Sequence, residues 1–265
     1  MKIRRFTTQD LATVYVASLV ESLITREEHP VLGLATGATP IALYRRLVDF
    51  HRQGLSFASV TTINLDEYIG LPGDHPQSYH RFMHDHLFSQ IDVNSAGTHI
   101  PNGMSHNPEV ECDRYDAIIA AHPIHLQILG IGRNGHIGFN EPDISLKTRT
   151  HVIELTADTI RANARFFANE SEVPTRAITM GIQSILQAKE IILMAFGSDK
   201  ALAVQHALSG EVSTEVPASF LQMHPNVTFV LDDEAAGLLP EHHALDEAPA
   251  LAQFDWPWDA GSPRL

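Results

Sequence analysis

Short apolar runs alternate along the chain with longer runs whose apolar residues recur every three or four positions. The runs at 31–36 (VLGLAT), 60–65 (VTTINL), 124–129 (IHLQIL), 178–180, 190–196 (EIILMAF) and 227–231 (VTFVL) read as strands. The first strand is placed at Val31. The stretch IALYRRLVDF reads as a helix, with Thr39 as its N-cap and Pro40 at its first position. Residues 78–88 and the run SDKALAVQHAL, ending near Gly210, read as further helices. LATVYVASLVESLI reads as an amphipathic first helix; Glu21 follows too closely for a signal peptide, and no small-residue cleavage site is present. Strand–helix alternation of this kind predicts an α/β fold with a mostly parallel sheet. There is no internal repeat.

In such sheets ligands gather beyond the carboxyl ends of the strands. Three unusual sequences fall at those ends: Thr36-Gly37-Ala38-Thr39, Asp66-Glu67-Tyr68, and the loop GRNGHIGFNEP from Gly132 to Pro142. In LATGATP a strand, a glycine turn and a helix start follow one another, the general geometry for cradling a phosphate on free N–H groups and a helix end. The Walker ending is missing, and an ordinary strand–helix turn is the alternative. Lys200 lies in the first turn of SDKALA, where the helix dipole disfavours a cation; an anionic partner or plain solvent exposure would account for it. Arg165, in DTIRANARFF, is a second candidate cation.

Asp66 and Glu67 end an apolar strand. A carboxylate there serves either as a general base of raised pKa or as a turn cap. The Gly132–Pro142 loop carries more chemistry than a turn needs: His136, with Asn134 two residues before it and Glu141 five after. A His oriented by a carboxylate or amide is a common proton-transfer arrangement near neutral pH. His80 and His84 in HPQSYHRFMHDH share a helix face, but HExxH is absent and no cysteine is near, so a structural or surface role is expected there rather than zinc.

Bulk composition narrows the partners. The 265 residues carry a formal net charge of −14, against the basic surface that nucleic-acid binding requires. The single cysteine, Cys112, allows no internal disulfide and points to a cytoplasmic protein. No apolar run approaches the roughly 20 residues needed to span a membrane. Residues 1–236 are expected to form one α/β catalytic domain, and 237–265 an acidic tail rich in Ala and Pro that is loosely held.

Taken together, LGLATGATP, NLDEYIGL, HPQSYHRFM, GIGRNGHIGFNEP, DTIRANARFF, GSDKALA and PASFLQMHPN resemble the glucosamine-6-phosphate deaminase family, in order over nearly the whole chain. The related 6-phosphogluconolactonases share the fold but differ in these stretches. The resemblance implies a Rossmann-like three-layer fold with helices on both faces of the sheet, no cofactor and no metal. It implies conversion of glucosamine 6-phosphate and water to fructose 6-phosphate and ammonia. Asp66 would be the base that moves a proton between the first two carbons. His136 would handle the ring-oxygen proton, oriented and tuned by Glu141 and Asn134. Gly37, Ala38 and Thr39, with Arg165 and Lys200, would hold the phosphate, and residues 142–168 would form a mobile lid. Some members carry Asp in place of Asn134; a carboxylate there would favour a protonated His136 and move the acidic limb of the rate profile upward. Allosteric members use basic side chains where this chain has His151 and Ile153, so hyperbolic kinetics without activation by an N-acetylated sugar phosphate are expected. Oligomeric state stays open, a homo-oligomer included. Two alternatives remain: a galactosamine-6-phosphate deaminase-isomerase, and a non-catalytic sugar-phosphate sensor. The sensor would need an attached DNA-binding module, for which a first strand at Val31 leaves no room, and would have no use for Asp66 and His136 together.

Overall fold

The computed structural model describes residues 1–164, 167–240 and 245–247. In chain order the elements are β1 (Lys2–Phe6), α1 (Gln9–Arg26), β2 (Val31–Leu34), α2 (Ile41–Arg52), β3 (Thr61–Asn64), β4 (Asp66–Tyr68), α3 (Tyr79–His86), β5 (Thr98–His99), α4 (Pro108–Ala121), β6 (Leu126–Leu129), β7 (His151–Glu154), α5 (Ala157–Ala164), β8 (Arg176–Thr179), α6 (Ile182–Leu186), β9 (Glu190–Ala195), α7 (Ala201–Ser209), β10 (Val227–Asp232) and β11 (Leu245–Glu247). The main sheet has the order β11-β1-β10-β9-β6-β2-β3-β5, and every pairing in it is parallel.

Burial on both faces explains why the central strands are mostly apolar, with Thr62, Asn64 and Gln127 as buried polar exceptions. Alternate side chains divide between two cores. Leu32, Leu34, Leu126, Ile128, Ile192 and Met194 pack with α1, α2 and Met83 of α3. Val31, Ile63, Leu129, Ile191, Leu193 and Phe229 pack on the other face with Tyr115 of α4, with α6 and with α7. The result is the expected α/β three-layer arrangement. Each fully buried Leu or Ile in these layers contributes roughly 1.5–3 kcal/mol of transfer free energy.

Several elements depart from the pattern read along the chain. The first strand is Lys2–Phe6, not the one at Val31; its Lys and Arg hide a strand whose Ile3 and Phe6 point inward. Thr39 does not cap α2: Pro40 occupies the cap position, and no side chain caps that end. Asp66 and Glu67 do not close a strand but open another one. Ile178 and Thr179 of the run at 178–180 belong to β8, outside the main sheet: β4, β8 and β7 make a separate antiparallel sheet in the order β4-β8-β7. Leu245–Glu247, within the stretch read as a tail, lies parallel to β1. Among the described residues no helix is long and apolar enough to cross a membrane.

Candidate active site

Chain order in the main sheet reverses between β2 and β6: from β2 the strands run outward to β3 and β5, and from β6 outward to β9 and β10. At such a switch point the loops beyond the strand ends splay apart and leave a crevice. Here that crevice is a cavity of about 830 Å³. Its lining draws on the ends of four strands: Gly37, Ala38 and Thr39 after β2, Asp66 after β3, Asn134 and His136 after β6, and Lys200 after β9. The three separate sequence signals therefore meet in one place.

Asp66 owes its position to a change of sheet. Leu65 N–H still bonds to Leu34 O of the main sheet at 3.1 Å, while Leu65 O accepts from Met180 N–H at 2.8 Å. Asp66 is the next residue, paired with Thr179 in the second sheet, and is 5% exposed. Burial, with the charge of Glu67 adding to it, pushes its carboxyl up to about 8. Glu67 points the other way. It accepts from the backbone N–H groups of Tyr68, Tyr79 and His80 and pairs with His80 Nδ1 at 2.8 Å, so it fastens the start of α3 rather than entering the cavity. His80 thereby has the structural role read for it, and His84 sits on the surface beside Asp85.

The Gly132–Pro142 loop is folded around His136. Gly132 N–H donates to His136 O, closing a tight turn. A Cβ on Gly132 would stand 2.3 Å from His136 Cε1, so only glycine lets the imidazole lie against the backbone there. His136 Nδ1 bonds to Glu141 Oε2 at 3.2 Å, and Asn134 Nδ2 donates to the same oxygen at 2.7 Å. Asn134 therefore reaches the imidazole only through Glu141; its own carbonyl accepts from the His136 backbone N–H. Glu141 lies behind the ring, 5% exposed, and its other oxygen accepts from the Thr159 hydroxyl. Burial alone would raise the Glu141 carboxyl, but the His136, Thr159 and Asn134 bonds and the His136 charge outweigh it and hold the group below its ordinary range. Glu141 is thus an anion whose Oε2 aims at one ring nitrogen. That leaves the far side of the ring for chemistry.

Gly37, also in the cavity lining, takes φ +94°, a left-handed conformation that lets the backbone turn from β2 into α2. Lys200 precedes α7, and its Nζ donates to Ile131 O at 3.0 Å. Arg165 lies outside the described residues. Further residues of the lining were not singled out from the sequence, among them Tyr79, Thr159 and Arg161. Thr159 and Arg161 stand in the DTIRANARFF run, on α5, but no spacing rule links a Thr there to a Glu at 141. Among the described residues no group of His, Cys, Asp and Glu could hold a metal ion.

Comparison with known proteins agrees with this geometry. The sequence profile of the family described as glucosamine-6-phosphate isomerases/6-phosphogluconolactonase matches residues 7–230. The glucosamine-6-phosphate deaminase of Thermoanaerobacter pseudethanolicus is 51% identical over 227 residues, 85% of this chain and 90% of that one. The enzyme of the same name from Halothermothrix orenii is 51% identical over 225 residues, 84% and 93% of the two chains. Among solved structures, a monomeric glucosamine-6-phosphate deaminase superposes with a TM-score of 0.88 at 46% identity, covering 90% of this chain and all of that one. The 6-phosphogluconolactonase of Trypanosoma cruzi gives 0.74 at 20% identity, over 90% and 96% of the two chains, which is a likeness of fold. The chain belongs to the glucosamine-6-phosphate isomerase/6-phosphogluconolactonase family.

Proposed function

We propose that this chain is a deaminating aldose–ketose isomerase that converts glucosamine 6-phosphate and water to fructose 6-phosphate and ammonia. One observation carries the reading: a buried carboxyl of raised pKa, Asp66, and a carboxylate-held imidazole, His136, line the same cavity. Opening the pyranose requires a proton to leave the anomeric hydroxyl and one to reach the ring oxygen, and His136 at the cavity wall serves both. Asp66 takes the proton from the amine-bearing carbon and returns it to its neighbour. The nitrogen gives up a proton and the first carbon's oxygen takes one on, so the amine becomes an imine, and water releases it as ammonia and leaves the ketone. Two proton-transfer stations complete this sequence, so it calls for no cofactor. The substrate's ammonium group favours the ionised form of Asp66 when it binds, which readies the base.

The Gly37–Thr39 turn and Lys200 hold the phosphate at the end of the cavity remote from the reacting carbons, with Arg165 as a further cation. A bound phosphate then positions the sugar and contributes to rate rather than only to affinity. Residues 142–168 act as a lid over the sugar, within one catalytic domain that spans 1–236. A cytoplasmic setting fits the single buried cysteine. The acidic surface fits a small-molecule substrate rather than nucleic acid.

The test is to mix the metal-free protein with glucosamine 6-phosphate and follow ammonia and fructose 6-phosphate together, with Asp66→Asn as control. Formation of both in equal amounts, lost in the variant, is expected. Turnover of galactosamine 6-phosphate instead would move the reading to the epimer. Tight binding without product would leave a sensor.

A further inference from the structure

The buried hydroxyl of Thr159 has no place in the chemistry above, yet it is wired to it. Thr159 is on α5, inside the segment assigned as lid, and its Oγ1 donates to Glu141 Oε1. Thr156 stands just before α5. Its hydroxyl accepts from the Thr159 backbone N–H at 3.2 Å, the N-cap arrangement, and donates to Thr159 Oγ1 at 3.2 Å. Hydrogen bonds therefore converge on Glu141 from two sides: from the helix cap through Thr159 to Oε1, and from the Nδ1 of His136 to Oε2. Asn163, one turn further along α5, donates to the Tyr68 hydroxyl at 2.9 Å, which fixes the helix against β4 beside Asp66. With the helix in this position, three side-chain donors surround Glu141: Asn134, His136 and Thr159.

We propose that Thr159 is a positioning residue for the ring-opening step, and that the docked α5 is what completes the orientation of the His136–Glu141 pair. The inference rests on the deaminase reading. Without the Thr159 hydroxyl, Glu141 keeps two of its three partners and is free to pivot on Oε2, so the imidazole is no longer aimed at one spot. A lid that departs with α5 takes that hydroxyl with it, so His136 is fully oriented only while the site is covered. This ties ring opening to closure and disfavours proton transfer to bulk water in the open state.

Thr159→Val removes the hydroxyl and keeps the shape; Thr159→Ser keeps the hydroxyl and removes the methyl. The pair separates hydrogen bonding from packing. With glucosamine 6-phosphate the valine variant should lose about ten- to a hundredfold in kcat, the worth of one hydrogen bond to a charged group, with KM little changed. The serine variant should recover most of that loss. The pH profile gives a readout that packing would not move. With one donor fewer, Glu141 keeps more of its charge for His136, so the step in kcat/KM that belongs to this pair should move to higher pH in the valine variant and stay in place in the serine variant. The other charged groups lining the cavity are Asp66 of β4, Arg161 of α5, Lys200, and Arg133 paired with Asp199; the substitutions leave all of them intact.

Thr156→Ala offers a second route if valine at 159 impairs folding. It removes the donor to Thr159 and the cap of α5, and should shift the same step in the same direction with a smaller loss of kcat. A serine variant as impaired as the valine one, or a valine variant with wild-type kcat and an unmoved profile, would overturn the proposal. Absence of turnover in the wild-type protein is a different failure, and would count against the deaminase reading itself.

Discussion

Asp66 sets two requirements that pull against each other. As a base it must be ionised, so kcat/KM should climb with pH through about 8, where burial and Glu67 hold its carboxyl. The same shift has a cost in stability. The folded protein holds this proton more tightly than the unfolded chain does. The stability so gained is complete below the ordinary carboxylate range and is lost as pH rises through about 8. Asparagine cannot ionise. Asp66→Asn should therefore be inactive yet melt at a higher temperature than the wild type at about pH 9, with the gap closing as pH falls; equal melting curves at both ends would refute the account. Asn134 offers the complementary test. Its Nδ2 donates to Glu141 at 2.7 Å, and an Asp there replaces that donor with a second negative charge beside His136. In Asn134→Asp the acidic limb of the rate profile should move to higher pH. An unshifted profile in that variant would show that the charge at this position does not reach the imidazole.

The phosphate turn is the element whose geometry is most open to a single substitution. Gly37 has nothing within 4 Å of where a Cβ would stand, so Gly37→Ala meets no clash and acts only through its φ of +94°. Forcing a non-glycine residue into that region costs roughly 1–2 kcal/mol. The turn should relax away from its present shape, and KM for the sugar phosphate should rise about tenfold or more with the protein still folded. An unchanged KM would remove this turn from the phosphate site. The turn was legible in the sequence because a glycine set between a strand and a helix marks a backbone that must reverse sharply. The same holds for the Gly132–Pro142 loop, whose His136, Asn134 and Glu141 the structure joins in one hydrogen-bonded group. The second sheet was not legible. Asp66, Glu67 and Tyr68 continue the run of β3 without a break, and only the partner strand β8, far along the chain, decides that the chain changes sheets there. Hydrophobic periodicity is local and carries no information about such a partner. Strand β1 was hidden for another reason. Its Lys2, Arg4 and Arg5 flank the two buried apolar residues, so it reads as a polar leader until β10 is found beside it. Thr159 escaped because a buried hydroxyl aimed at a carboxylate 18 residues away leaves no pattern at all.

Regulation is a property of the whole molecule, and it turns on the second sheet. Strand β7 pairs with β8, and β8 pairs with β4, which begins at Asp66. A ligand held on β7 would therefore have a short, rigid path to the base, and an anionic activator would need cations there to be held. His151 and Ile153 do not supply them. Burial leads the influences on the His151 imidazole and lowers its pKa, so the ring is neutral at physiological pH. Ile153 packs into the small apolar cluster of Tyr68, Phe139 and Leu155. The neighbouring Arg149 is engaged with Asp116 of α4 at 2.9 Å. An activator able to shift a two-state equilibrium must bind one state better than the other. A neutral imidazole, a half-buried isoleucine and a paired arginine give an N-acetylated sugar phosphate little to discriminate with. Initial rates against glucosamine 6-phosphate should thus be hyperbolic, and N-acetylglucosamine 6-phosphate should leave them unchanged at concentrations well above the substrate's KM. The positive control is Ile153→Lys with His151→Arg. Introducing these charges should give binding of the acetylated sugar phosphate, read by calorimetry, and activation as well if the path through β7, β8 and β4 is sound. Sigmoidal rates in the unaltered protein, relieved by that ligand, would mean that the activator is held by residues other than these two.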